Sequence, residues 1–195
     1  MRILSQYTLS HRECLDLRLT DSYSIHRAVY DLFPGKEFGH GRILYADKGF
    51  RFGKRRILIL SPEEPAQSRL GTLDSKKIPG WFLDHSAYRF EVVVNPVRRS
   101  SKTRKIEPVK GRRGIAEWFE NHSNAWGFEA IQPQVGNVWA DQFMKARDMP
   151  VTISRAIITG ALKVVDREKF RNSFYNGFGR ERAFGCGLLQ LAPIV

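Results

Sequence analysis

Apolar and polar positions along the chain fall into short stretches of two different periods. Residues 1–9 have the aliphatic content of an opening strand, and residues 21–33 carry the strongest helical pattern in the chain. There Ile25, Ala28, Val29, Leu32 and Phe33 recur at the spacing of one buried helix face; Asp21 or Ser22 is placed to cap it and Pro34-Gly35 to end it. Strands are expected at 42–46 and 56–60, a short helix around 66–70 opened by Ser61-Pro62-Glu63-Glu64-Pro65, and a weaker strand within 73–82. This is the βαββαβ order of ferredoxin-like domains. The order recurs as a strand at 88–95, a basic segment, a helix at 113–121, strands near 126–132 and 151–165, a helix at 166–175 and a strand at 188–194. Residues 133–149 fit least well and are expected as an extra hairpin or an ordered loop, while Gly160 predicts a bulge or bend in the long strand. The pattern therefore predicts an α+β fold of two tandem ferredoxin-like domains, residues 1–86 and 87–195. The duplication rests on element order, since the halves show no clear internal repeat.

At 195 residues and 42% hydrophobic content the chain is long enough to bury a sizeable core. No run approaches the ~18 apolar residues of a membrane span, and Met-Arg-Ile-Leu-Ser-Gln lacks the apolar core of a signal peptide. A cytoplasmic protein with no membrane partner is expected. Cys14 and Cys186 are the only cysteines, which argues neither a disulfide framework nor a zinc site, and both read as buried small hydrophobes.

Charge changes the picture more. The net charge is +12, and it is concentrated in two segments. Arg98, Arg99, Lys102, Arg104, Lys105, Lys110, Arg112 and Arg113 face only Glu107; Lys36, Arg42, Lys48, Arg51, Lys54, Arg55 and Arg56 face Glu37 and Asp47. These segments account for the whole excess and point to a polyanionic partner, although a basic run can also be plain solvated surface. Neither run has the apolar helical stripe of an interfacial membrane helix.

On the predicted helix at 21–33, Tyr23, His26, Arg27 and Tyr30 share the side opposite the apolar face. An exposed polar face with chance aromatics would look the same. The set nevertheless suits metal-free RNA cleavage, in which a 2′-hydroxyl attacks the adjacent phosphorus. An imidazole with a pKa of ~6.5 moves protons near neutrality, a phenol hydrogen-bonds the phosphate, and a guanidinium offsets its growing charge. His26 and Tyr23 are thus the candidate catalytic residues and Arg27 a candidate RNA contact. No paired carboxylates or His/Asp cluster mark a two-metal site, no phosphate-binding G-x-x-x-x-G-K-[ST] is present, and no metal or cofactor is expected. His11, His40, His85 and His122 stand alone. Lys48-Gly49-Phe50-Arg51-Phe52 is a partial match to an RNA-stacking signature and equally a turn with exposed aromatics. In the tail, Gly177, Gly179, Gly185 and Gly187 with Arg180 and Arg182 can form either a plain turn or a loop that brings backbone N–H groups to a phosphate.

Tyr23-x-x-His26-Arg27 followed by Leu32-Phe33-Pro34, the strand ending Asn95-Pro96, and the closing Gly-x-Gly-Arg-x-x-Ala-Phe-Gly-Cys-Gly-Leu-Leu together resemble the CasE family of CRISPR RNA-processing endoribonucleases. The resemblance implies binding of a CRISPR repeat RNA hairpin and one metal-independent cut at the 3′ base of its stem, giving a 2′,3′-cyclic phosphate. It also implies that the cut guide RNA is retained within a multisubunit surveillance complex. By position, His26 matches the family's catalytic histidine, Tyr23 its tyrosine partner, and the four tail glycines its C-terminal loop. Some members carry a lysine soon after the histidine, where this chain has Tyr30 and Asp31, with Lys36 beyond the Pro-Gly stop. A non-catalytic guide-RNA scaffold of the same fold is the alternative. A stem-loop is a rigid A-form rod read largely by shape, and residues 98–113 are the candidate ribbon to track its phosphates.

Overall fold

The structure is a computed structural model that describes residues 2–35, 42–145 and 149–194. Lys36, Glu37 and His40 of the second basic segment, and residues 146–148, lie outside the described residues.

Strand β1 (Ile3–Ser10) alternates buried and partly exposed residues and runs into a short helix, α1 (His11–Asp16), then α2 (Ser22–Tyr30). Strands β2 (Leu44–Arg51), β3 (Lys54–Ser61) and β4 (Thr72–Lys77) complete an antiparallel sheet in the order β2-β3-β1-β4. The second half comprises β5 (Ala87–Val94), a hairpin of β6 (Val97–Arg99) and β7 (Ile106–Pro108), α3 (Arg112–Ser123), β8 (Phe128–Met144), β9 (Pro150–Val164), α4 (Arg167–Asn176) and β10 (Gln190–Pro193). Its sheet runs β10-β5-β9-β8. Numbered from its own first strand, each half has the 4-1-3-2 order of a ferredoxin-like sheet.

Three expectations are corrected. Residues 66–70 form no helix: the Ala66 N–H donates to the Leu32 carbonyl at 2.7 Å, and the Ser68 hydroxyl bonds the Leu70 carbonyl at 2.7 Å. Residues 133–144 are not a separate hairpin, because β8 continues through them along β9, with register shifts between Ile131 and Gln134 and between Val135 and Val138. Gly160 lies opposite that irregularity. A Cβ there would sit 3.2 Å from the Ile131 carbonyl oxygen and 3.3 Å from the Pro133 Cα, so the bulge is in β8 and the glycine makes room for it. Helix α1 was not foreseen. A capping box between Ser10 and Glu13 starts it, and Cys14 is its buried anchor.

Two buried clusters position the site. Ile25, Val29, Leu32 and Phe33 pack with Tyr7, Leu9, Ile57 and Ile59, each such aliphatic burial contributing roughly 1.5–3 kcal/mol. This pins α2 to the first sheet by its apolar face. A larger, aromatic cluster of Phe90, Phe119, Phe128, Phe170, Phe174 and Phe178 also takes in Leu44, Ala46 and Leu60 from the first sheet, so the two halves share a core. Among the described residues no helix is long and apolar enough to cross a membrane.

Candidate functional site

With its apolar stripe buried, α2 presents Ser22, Tyr23, His26, Arg27 and Tyr30 on the other side, as the spacing required. Asp21 caps it: its carboxylate accepts the Ser24 N–H at 2.7 Å, while the Ser24 hydroxyl accepts the Asp21 N–H at 3.0 Å. The His26 ring lies between Tyr30, at 4.2 Å between ring centroids, and Phe184 of the tail, at 5.3 Å; Tyr23 stacks at 6.2 Å. The Arg27 guanidinium sits 5.7 Å from the Tyr23 ring centre.

The decisive contact is between His26 Nδ1 and the Ala183 carbonyl, at 2.7 Å. A carbonyl oxygen only accepts, so Nδ1 carries the hydrogen and the neutral ring has its lone pair on Nε2, which has no hydrogen-bond partner among the described residues. Partial burial pushes the His26 pKa below the usual histidine value; the Ala183 bond and Asp31 oppose this, and Lys145 at the end of β8 adds to it. Lys145 is exposed and was not foreseen as a site residue. It lies far from His26 in sequence, and the end of β8 brings it near, where Phe143 packs on Tyr23 of α2 and Phe184 of the tail.

The tail explains its own glycines differently from the sequence reading. Gly177, Gly185 and Gly187 are buried, with positive φ, and an added Cβ would lie 2.7 Å from Leu44, 2.9 Å from Tyr45 and 2.4 Å from the Phe178 carbonyl oxygen respectively. The Gly187 N–H is already donated to Val93 at 2.8 Å. Close packing, rather than a backbone cradle for phosphate, therefore accounts for these three. Arg182 also turns inward, its guanidinium bonding the Asn176 and Gly177 carbonyls at the end of α4, each at 3.2 Å. Gly179, with nothing within 4 Å of a Cβ, and the exposed Arg180 are the parts of the loop left open.

Arg98, Arg99, Lys102, Arg104, Lys105, Lys110, Arg112 and Arg113 are all exposed, on the β6–β7 hairpin and the start of α3. Arg112 sits well along β8 from the end that lies near His26. The Arg112 guanidinium bonds the Gly136 carbonyl at 3.3 Å, and from there β8 leads to Lys145, a path of roughly 30 Å at ~3.3 Å per residue. Arg112 and Arg113 open α3 with no acidic residue in its first turn, an arrangement that the helix dipole opposes by about 0.3–1 kcal/mol per charge. In the second basic segment, Lys48 is held by Glu91 and Gln190 and Arg55 by Asp47, so part of that charge is internal pairing. Cys186 is fully buried, which pushes its thiol pKa up to about 11. Among the described residues no three His, Cys, Asp or Glu side chains are grouped as metal ligands.

A family model described as "CRISPR associated protein" matches residues 4–193. The CRISPR-associated endoribonuclease Cse3 of Thermus thermophilus is 27% identical over 116 residues, a match that spans 54% of this chain and 55% of that relative. A structure of Thermus thermophilus Cse3 bound to an RNA representing a pre-cleavage complex superposes with a TM-score of 0.84 at 22% identity, covering 98% of this chain and 99% of that one. A chain of a CRISPR RNA-guided surveillance complex does so with a TM-score of 0.72 at 20% identity, covering 98% of this chain and 100% of its own. With the family model running from the first strand to the last, the chain belongs to the CRISPR-associated protein family, as its motifs indicated.

Proposed function

We propose that this protein is a metal-independent endoribonuclease that binds the hairpin of a CRISPR repeat transcript and cuts it at the 3′ base of the stem. The observation that carries the reading is the hydrogen bond from His26 Nδ1 to Ala183, which leaves an unprotonated Nε2 as base. In the proposed step the 2′-hydroxyl proton passes to Nε2, the 2′-oxygen bonds phosphorus, and the bond to the 5′-oxygen breaks. That oxygen takes a proton from the Tyr23 phenol or from water, leaving a 2′,3′-cyclic phosphate and a 5′-hydroxyl. A lowered pKa keeps His26 neutral and able to accept a proton at physiological pH. Arg27 and Lys145 supply positive charge beside the phosphorane as it forms. Residues 98–113, with Arg180 and Gly179, track the stem and its flank, and two arginines held against a helix dipole support an anionic partner there.

The relative's printed activity, the RNA held in its structure and the likeness to a surveillance-complex chain agree with this proposal and extend it. The cut RNA stays bound, in the cytoplasm, within such an assembly. The division into domains at residues 86 and 87 belongs to the same proposal.

The test is single-turnover cutting of a repeat hairpin in EDTA. Wild type should cut, and His26→Ala should lose about 10²- to 10⁴-fold in rate while still binding. Undiminished cutting by the variant removes His26 from the mechanism. A wild type that needs added metal ends the scheme, and binding without any cutting favours the scaffold reading.

A further inference from the structure

Arg155 is only 5% exposed and sits on β9 between the buried Ile153, Ala156 and Ile158. A buried guanidinium is retained only where its donors are used. Here Nε bonds Asp141 on β8 at 3.1 Å, Nη2 bonds the Ser22 hydroxyl at 2.9 Å and the Phe184 carbonyl at 2.6 Å, and Nη1 reaches the Cys186 sulfur at 3.5 Å. Ser22 in turn donates to Asp141. The Cys186 thiol stays neutral, so Asp141 is the counter-charge. One side chain thus joins the first turn of α2, the long hairpin and the tail.

We infer that Arg155 is a positioning residue for His26, fixing the tail turn whose Ala183 carbonyl selects the Nδ1–H form of the imidazole. Ala183 and Phe184 are consecutive residues of one short 3-10 turn, Arg182–Phe184. The first carbonyl holds His26 and the second is held by Arg155, while Ser22, one helical turn before His26, is gripped by the same guanidinium. If this grip is lost, the turn and the helix start are free to part, and the imidazole loses its partner and its cover. The inference rests on the reading of His26 as the base. Tyr23, Arg27 and Tyr30 of α2, Asp31 at its C-cap, and Lys145 just after β8 are the other titratable or charged groups recorded around the ring, and none of them contacts Arg155.

The test compares Arg155→Met and Ser22→Ala with wild type, using a repeat hairpin for cutting and the same hairpin with a 2′-deoxy nucleotide at the cut site for binding. Arg155→Met should cut about 10- to 100-fold more slowly, as expected for a base misplaced by ~1 Å, with affinity unchanged within about twofold. Its acidic pH limb should rise toward ~6.5 as the ring becomes hydrated. Nitrogen-15 spectra of the imidazole should show a smaller Nδ1–H fraction. Arg155→Lys, which keeps the charge but not the fork, should recover only part of the rate. Ser22→Ala leaves the Arg155–Asp141 pair in place, so it should fold; it should lose about fivefold in rate, one hydrogen bond's worth. It therefore carries the test if Arg155→Met does not fold. Wild-type rate, pH limb and tautomer in the variants, or a loss confined to affinity, would overturn the inference. If His26→Ala cuts normally, the base assignment fails on its own, and the imidazole spectrum of Arg155→Met still decides the positioning role.

Discussion

The two halves share a strand order but divide the work differently. In the second half α3 and α4 accompany the sheet, and the core is a mesh of rings, among them Phe90 on Phe119 at 5.4 Å and Trp126 on Phe178 at 4.4 Å between centroids. In the first half an extended segment replaces the second helix, and the cluster under α2 is mainly aliphatic. The proposed chemistry sits on this lighter half, on α2, while the contacts that hold it, through Ala183 and Phe184, come from the heavier one. The candidate site is therefore a joint: one half presents His26, the proposed base, and the tail of the other holds its Nδ1.

Removing a ring from the heavier core should have the largest effect on stability. Phe119→Ala is expected to cost about 3–5 kcal/mol in urea unfolding, since Phe119 is fully buried and packs with four other rings, Phe90, Trp126, Phe128 and Phe178. A loss below 1 kcal/mol would dissolve the contrast between the halves. Gly187→Ala forces a Cβ to 2.4 Å from the Phe178 carbonyl oxygen at a φ of +81° and should cost about 1–3 kcal/mol. Because the tail carries Ala183, this variant should also slow cutting more than it weakens RNA binding. An equal loss of both would place the loop in the RNA interface instead. The smallest effect concerns the basic ribbon. Replacing Arg112 and Arg113 with alanine should leave folding almost unchanged, the exposed Arg113–Glu117 pair being worth at most about 0.5 kcal/mol. It should flatten the logarithmic salt dependence of binding by about 0.9 for each duplex phosphate that is no longer neutralised. An unaltered slope would make residues 98–113 ordinary surface.

Where a segment's own periodicity decided its structure, the sequence was readable. The apolar positions of α2 placed Tyr23, His26, Arg27 and Tyr30 on one side, and the strand–helix order led to the ferredoxin-like fold. The helix at 66–70 was over-read because its proline-bounded start looked like a cap, whereas a hydrogen bond to Leu32, a residue distant in sequence, holds Ala66 in an extended segment. Lys145 and Arg155 were missed for a related reason: their importance depends on strand pairing that brings β8 and β9 beside the tail. Arg155 did carry one visible signal, a charge inside the mostly apolar segment Ile153-Ser154-Arg155-Ala156-Ile157-Ile158. At Gly185 and Gly187 only three-dimensional packing shows that Tyr45 and Phe178 leave no room for a side chain.

In the proposed reaction a neutral His26, with Nε2 free, takes the proton from the attacking hydroxyl. Partial burial lowers its pKa, so the base form persists as pH falls below the ordinary histidine value and is lost only as pH passes through the lowered one. Its most direct test is the single-turnover rate of hairpin cleavage in EDTA as a function of pH. The account predicts a plateau through neutrality and an acidic fall with slope one and a midpoint below ~6.5, absent from the residual activity of His26→Ala. A midpoint above that value, or a fall that survives the substitution, would contradict it.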